Sequence, residues 1–234
     1  RQLWLLEGRQ DANGNITNYS QRTFNAIKQY EWQSPPIAPN ASTNGDWSLV
    51  GPTFTNNGYT ISTTGIGRAD RIAFHPTDAN IFFIGTPSSG IFKTVNGGDN
   101  WFNLNSFIPS LGVSGLVISW SDANVIYALT GDGDSNLGDN GFVEGFDYIR
   151  PSIGVLKSTD GGVSWALTAP LGNENDFFVG YKLIQSPISP NTLIAATSKG
   201  IYKTSNGGAS WLLVTAADRF YDLEWKPGSV SRVY

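Results

Sequence analysis

Two short stretches of this sequence hold carboxylates in settings that could do chemistry. In "GRADR" (67–71) Asp70 stands between Arg68 and Arg71, and "DGDSNLGDNG" (132–141) gathers Asp132, Asp134, Asn136 and Asp139 in one loop. A pair of carboxylates across a sugar linkage can hydrolyse it, one giving a proton and the other attacking or activating water. Asp70, Asp132 and Asp134 are the candidates for that work. Alternating oxygen ligands such as Asp132, Asp134, Asn136 and Asp139 also suit Ca²⁺. The match to a twelve-residue calcium loop is poor, because Val143 stands where a bidentate Glu belongs and Glu144 comes one residue late. Without a cation the loop is polar and solvated. Arg68 and Arg71 beside Asp70 could clamp a carboxylate or a sugar; the plainer reading is an ion-paired loop opening a strand. His75 is the single histidine, in "FHPTD", with no second His or Cys to work with. It reads as a packed turn residue, and Trp120 ("ISWSD") and Trp225 ("LEWKP") are expected in the corresponding places of later units.

The elements that must position these groups are strands. The chain has 234 residues, 40% of them hydrophobic, with 27 Gly and 12 Pro, enough for a core broken by many turns. It contains no Cys, which removes disulfides, thiolate nucleophiles and cysteine metal cages. A net charge of -4 without a basic stripe speaks against a nucleic-acid partner. No run is long enough for a transmembrane segment. Eight Trp and nine Tyr, with abundant Asn, Ser and Thr, suit an extracellular β-protein.

One twelve-residue stretch is written three times: "GIFKTVNGGDNW" from 90, "GVLKSTDGGVSW" from 154 and "GIYKTSNGGASW" from 200. Each copy follows two β-prone runs, the second being "NIFFIGT", "NVIYALT" or "NTLIAAT". The pattern predicts four antiparallel strands per unit, the last opening at Trp. The copies start 64 and then 46 residues apart, the longer interval holding the insertion 131–152 between a second and a third strand. Units of this size are the blades of a β-propeller. The expected fold class is therefore all-β, a β-propeller of four-stranded antiparallel blades. Blades are expected over about 66–110, 111–172 and 178–217, with a partial blade from 218. Residues 1–45 do not repeat: "NYSQRTFNAIKQYEW" (18–32) could form a short amphipathic helix and 33–46 reads as a Pro-rich linker. "WSLVGP" (47–52) is expected to close a ring by filling an outer position. Three full blades are fewer than propellers use, so the chain is expected to be an incomplete portion of a larger propeller.

The turn inside the repeat has a physical logic. In "STDGG", Ser158 and Asp160 can accept from turn amides, and Gly161 and Gly162 permit positive φ. Trp165 then covers the hairpin end, its indole N–H seeking a carbonyl. The other copies are Asn96, Gly97, Gly98, Trp101 and Asn206, Gly207, Gly208, Trp211. Asn in place of Asp keeps the acceptor and loses the charge, which a turn tolerates and a metal ligand or general acid does not. These residues are structural.

"STDGGVSW" resembles the Asp-box, or BNR repeat, and "TVNGGDNW" and "TSNGGASW" look like relaxed copies. The box is known in sialidases, xyloglucanase-type glycoside hydrolases, sortilin-like receptors and secreted bacterial propellers, where it forms the outer hairpin between third and fourth strands. "GIGRADRIAFHPTDANIFFIGTPSSGIFKTVNGGDNW" (65–101) resembles extracellular proteins of the Bacteroidetes type, many of which carry a C-terminal sorting domain for type IX secretion. The resemblance covers about 46–234. It implies a secreted or cell-surface location, with outer-membrane association through a sorting domain, and contact with secretion-machinery proteins. It leaves the activity open. A sialidase needs an arginine triad, and nothing in the placement of Arg1, Arg9, Arg22, Arg68, Arg71, Arg150, Arg219 and Arg232 marks one. The first expectation is a binding or adhesion module taking a glycan or protein ligand and no cofactor. The alternatives are a xyloglucanase-like glycoside hydrolase and the propeller domain of a larger secreted hydrolase.

Overall fold

A computed structural model describes residues 21, 68–104, 112–133, 151–173, 177–216, 219–229 and 231–234. The expected helix at 18–32 apart from Gln21, "WSLVGP" and most of the 131–152 insertion lie outside these residues. The described fold is all-β: three four-stranded antiparallel sheets and no closed barrel, the arrangement of an incomplete propeller. The first sheet runs β1 (Arg71–Phe74), β2 (Phe82–Thr86), β3 (Gly90–Thr94) and β4 (Phe102–Asn103) in simple up-and-down order. The second is β5 (Val113–Ile118), β6 (Ile126–Thr130), β7 (Val155–Ser158) and β8 (Ala166–Leu167). The third is β9 (Gly180–Gln185), β10 (Leu193–Thr197), β11 (Gly200–Thr204) and β12 (Leu212–Ala216). Among the described residues no helix is long and apolar enough to cross a membrane.

Strand alternation sends one set of side chains to each neighbouring sheet. Ala73, Phe83 and Ile91 of the first sheet meet Leu116, Ile126 and Leu156 of the second in one core. Tyr127, Leu129 and Val155, on the second sheet's other face, meet Leu183, Leu193 and Tyr202 of the third. A smaller core covers the third sheet's far face with Leu223, Phe220 and Trp225. Strands β1, β5 and β9 pack on one another, so they are the inner strands, while β4, β8 and β12 form the rim.

The seams between sheets carry a repeated lysine. Lys93 on β3 donates to Gly161 O of the next sheet at 3.3 Å and lies 5.1 Å over the Phe83 ring. Lys157 on β7 repeats this, donating to Gly207 O at 3.4 Å and lying 5.3 Å over Tyr127. Lys203, in the same register on β11, is exposed.

The inner hairpins correct one expected alignment. Each closes through an amide-to-carbonyl bond across five residues: His75 to Ile81, Ser119 to Val125, Ser186 to Thr192 and Lys226 to Arg232. His75 therefore corresponds to Ser119, Ser186 and Lys226. Trp120 falls one place later and Trp225 one place earlier, which turns each ring away from the face His75 uses. Trp120, 46% exposed, donates its indole N–H to Ser186 O of the next sheet at 2.9 Å. Trp225 pairs with Val233 and packs in the far core. At this place His75 Nδ1 accepts from the Asp78 amide at 3.1 Å and the Thr77 amide at 3.3 Å, much as Ser186 Oγ accepts from the Ile188 amide.

Candidate functional site

Two regions gather polar groups: the rim turns and the starts of the inner strands. At the rim, Thr94, Ser158 and Thr204 are buried at the ends of β3, β7 and β11. Their hydroxyl oxygens accept from the amides of Gly98 (2.9 Å), Gly162 (2.9 Å) and Gly208 (3.0 Å). Each hydroxyl donates in turn to the residue two places on: Asn96 (3.0 Å), Asp160 (2.8 Å) or Asn206 (2.8 Å). That same oxygen then accepts the amide of Asn100, Ser164 or Ser210. The Gly pairs sit at positive φ, +72° and +92° for Gly161 and Gly162, where L side chains are strained. Gly97, Gly161 and Gly207 are tied by their amides to the carbonyls of Asn80, Asn124 and Asn191, which join each rim turn to the first hairpin of its own sheet. Trp165 donates to Gly162 O at 3.0 Å, whereas Trp211 donates to Thr168 Oγ1 of the preceding sheet at 3.2 Å. Trp101 instead meets the Phe82 ring edge to face. The hydroxyl and Oδ1 acceptors of these turns are thus occupied within the turn.

Burial would raise the Asp160 pKa, but hydrogen bonds from Ser164, Ser158 and the Val163 amide outweigh it, so the carboxyl lies below its ordinary value. Only charge distinguishes this turn from its Asn copies: Ser164 Oγ donates to Asp160 Oδ2, while Asn206 Nδ2 donates to Ser210 Oγ.

The inner-strand ends are built differently. Arg71 opens β1 and its guanidinium donates to three main-chain carbonyls, Asp70, Ser114 and Tyr181, one from each sheet. Gly115 lets β5 approach β9 closely: a Cβ there would come within 2.5 Å of Leu183 Cβ and 2.7 Å of Leu183 N. Beside it, Arg68 holds two carboxylates. Its Nε pairs with Asp70, and its Nη2 lies 3.0 Å and 2.9 Å from the two Asp132 oxygens. Both acids are buried while the Arg68 side chain is 44% exposed. The cluster is a lidded pair of acids from adjacent sheets. Burial raises the Asp70 pKa, Arg68 opposes the rise, and nearby Asp132 adds to it; the net direction is upward.

Farther round, Lys182 bridges Asp222 and Glu224 at 2.9 Å each, and the Tyr181 ring meets exposed Tyr221 edge to face at 4.8 Å. Partial burial would lower the Lys182 pKa, but its two acidic partners raise it. Lys182, Asp222 and Glu224 escaped sequence reading because Arg71, Gly115, Lys182 and Asp222 share one register position but no chemistry. The structure thus unites Asp70 with Asp132 and leaves His75 in its turn. Asp134, Asn136 and Asp139 lie outside the described residues. No three His, Asp or Glu side chains gather as a cation site among the described residues. Asp132 already gives both oxygens to Arg68, so Ca²⁺ there would have to displace a guanidinium.

No family model matches the chain, and no curated protein sequence does. Solved structures do. An ancestral GH74 enzyme is similar over 64% of this chain and 19% of its own, at 26% identity and a TM-score of 0.53. The GH74 xyloglucanase of Xanthomonas campestris matches over 66% of this chain and 25% of its own, at 16% identity and a TM-score of 0.45. YCF48 bound to D1 peptide matches over 69% of this chain and 44% of its own, at 16% identity and a TM-score of 0.45. The chain spans less than a fifth of the ancestral GH74 enzyme.

Proposed function

We propose that this chain is part of a secreted propeller of the xyloglucanase-like glycoside-hydrolase type, with Asp70 and Asp132 as its carboxylate pair. The observation that carries this reading is the meeting of two buried acids from adjacent sheets under one half-exposed arginine. The likeness to an ancestral GH74 enzyme supports it. Asp70, its pKa raised by burial, suits the proton donor; Asp132 supplies the second carboxylate. Arg68 must give way to the sugar for either to act. The test is release of reducing ends from xyloglucan by the full-length protein. Asp70→Asn and Asp132→Asn should each lower the rate by at least about a hundredfold. Unchanged turnover in both variants sinks the assignment.

A second reading keeps its place because Arg68 engages both acids, as an ion pair fixing a loop would. In that reading the chain belongs to a binding or adhesion propeller. Its rim turns are Asp-boxes, and it reaches the cell surface by type IX secretion through a sorting domain elsewhere in the protein. Xyloglucan retention on affinity electrophoresis with no reducing ends released would favour it.

A further inference from the structure

The two seams between sheets are built on one plan and filled differently. In register, Lys93 faces Phe102 on the rim strand and Lys157 faces Ala166. Two residues on, a main-chain hydrogen bond closes each strand, the Leu104 amide donating to Ile91 O and the Thr168 amide to Val155 O. The first seam thus has Phe102 and buried Leu104 where the second has Ala166 and Thr168. Two large apolar side chains are replaced by two small ones. The second seam holds a cavity of about 400 Å³ at the matching place, lined by Lys157, Trp165, Ala166, Thr168, Asn206 and the Gly207–Gly208 backbone among others. That volume falls in the range of small-ligand sites.

Its chemistry is selective. An indole supplies a flat apolar wall, and hydroxyl and amide groups stand around it. Lys157 is the only charged residue among the described residues of the lining. Its ammonium has three donors, and the one cross-seam bond, to Gly207 O, is long at 3.4 Å. We propose that this rim cavity binds an acidic sugar unit, a pyranose packed on Trp165 with its carboxylate on Lys157. An aromatic wall suits the apolar face of a sugar ring, and a lone cation with no acid in the lining favours a carboxylated sugar over a neutral one. The site is separate from the Asp70–Asp132 pair and does not depend on the hydrolase reading.

Calorimetric titration of the full-length protein with an oligogalacturonide and with a neutral cello-oligosaccharide tests this. The acidic oligomer should bind at least about tenfold more tightly, and less so as salt rises. Lys157→Gln should remove that preference. Refilling the seam with Ala166→Phe and Thr168→Leu should abolish binding, with a thermal melt checking that the variant folds. Asp70→Asn should leave rim binding unchanged, which separates this site's failure from failure of the proposed hydrolase site. No acidic-sugar binding by the wild type, equal binding of the neutral oligomer, or full binding by a folded refilled variant would each overturn the proposal.

Discussion

The rim turns and the inner-strand ends are copied from sheet to sheet with very different fidelity. At the rim, three hydroxyls accept from three glycine amides at 2.9, 2.9 and 3.0 Å, and Asn replaces Asp without changing the backbone bonds. At the inner ends, one register position holds Arg71, then Gly115, then Lys182, then Asp222. A turn closes the same ring of bonds in every sheet, so repetition costs nothing there. The inner ends face one another, so each side chain is shaped by what the next sheet offers. Gly115 lets the second sheet lie close against Leu183 of the third, and Arg71 spans both, donating to Ser114 O and Tyr181 O. Repetition marks what holds a sheet together; departure from it marks where sheets meet or a ligand enters.

The contrast can be broken most severely at Gly115. Gly115→Ala pushes a methyl group into Leu183, backbone included, and should cost about 3 kcal/mol. Denaturant melts should show this, and a loss below 1 kcal/mol would mean the inner strands part easily. Next comes Ser158→Ala, which leaves the buried Gly162 amide without its acceptor and should cost about 2 kcal/mol. If the rim turns are equivalent, Thr204→Ala should cost a similar amount in the same measurement.

The smallest effect is one of sign. Asp160 titrates below its ordinary value when folded, so its contribution is present above about pH 3.9 and is lost as pH falls towards its folded pKa. Asp70 titrates above its ordinary value, so the folded state holds the extra proton and stability falls as pH rises from about 3.9 through its folded pKa. Melts across the acid range should show Asp160→Asn flattening a rise in stability with pH and Asp70→Asn flattening a fall. The same sign for both would contradict the geometry. At neutral pH, Asp160→Asn should change stability by less than about 1 kcal/mol, because Asn206 already performs the same backbone task.

Sequence made the sheets legible because strands, turns and Gly pairs repeat in local order. The thrice-written stretch located β3, β7 and β11, and the choice of Ser or Thr, then Asp or Asn, announced the turn bonds. The His75 alignment failed because aromatic likeness was matched in place of bond register, a one-residue slip that reverses faces. Asp70 and Asp132 stood out as acids, but their meeting on Arg68 joins residues 64 apart through sheet packing. The seam cavity was hidden for another reason. It arises from Ala166 and Thr168, residues conspicuous only once their partners Phe102 and Leu104 are known.

The lysine of each sheet gives this architecture a direction. Lys93 reaches forward to the second sheet and Lys157 forward to the third. Neighbouring sheets therefore meet through unlike surfaces, a donor side against an acceptor side, like links that join only in one orientation. Such a chain of nearest-neighbour couplings behaves as a one-dimensional array, in which each unit's stability depends on its successor as well as on itself. Lys203 holds the same register on the third sheet and is exposed.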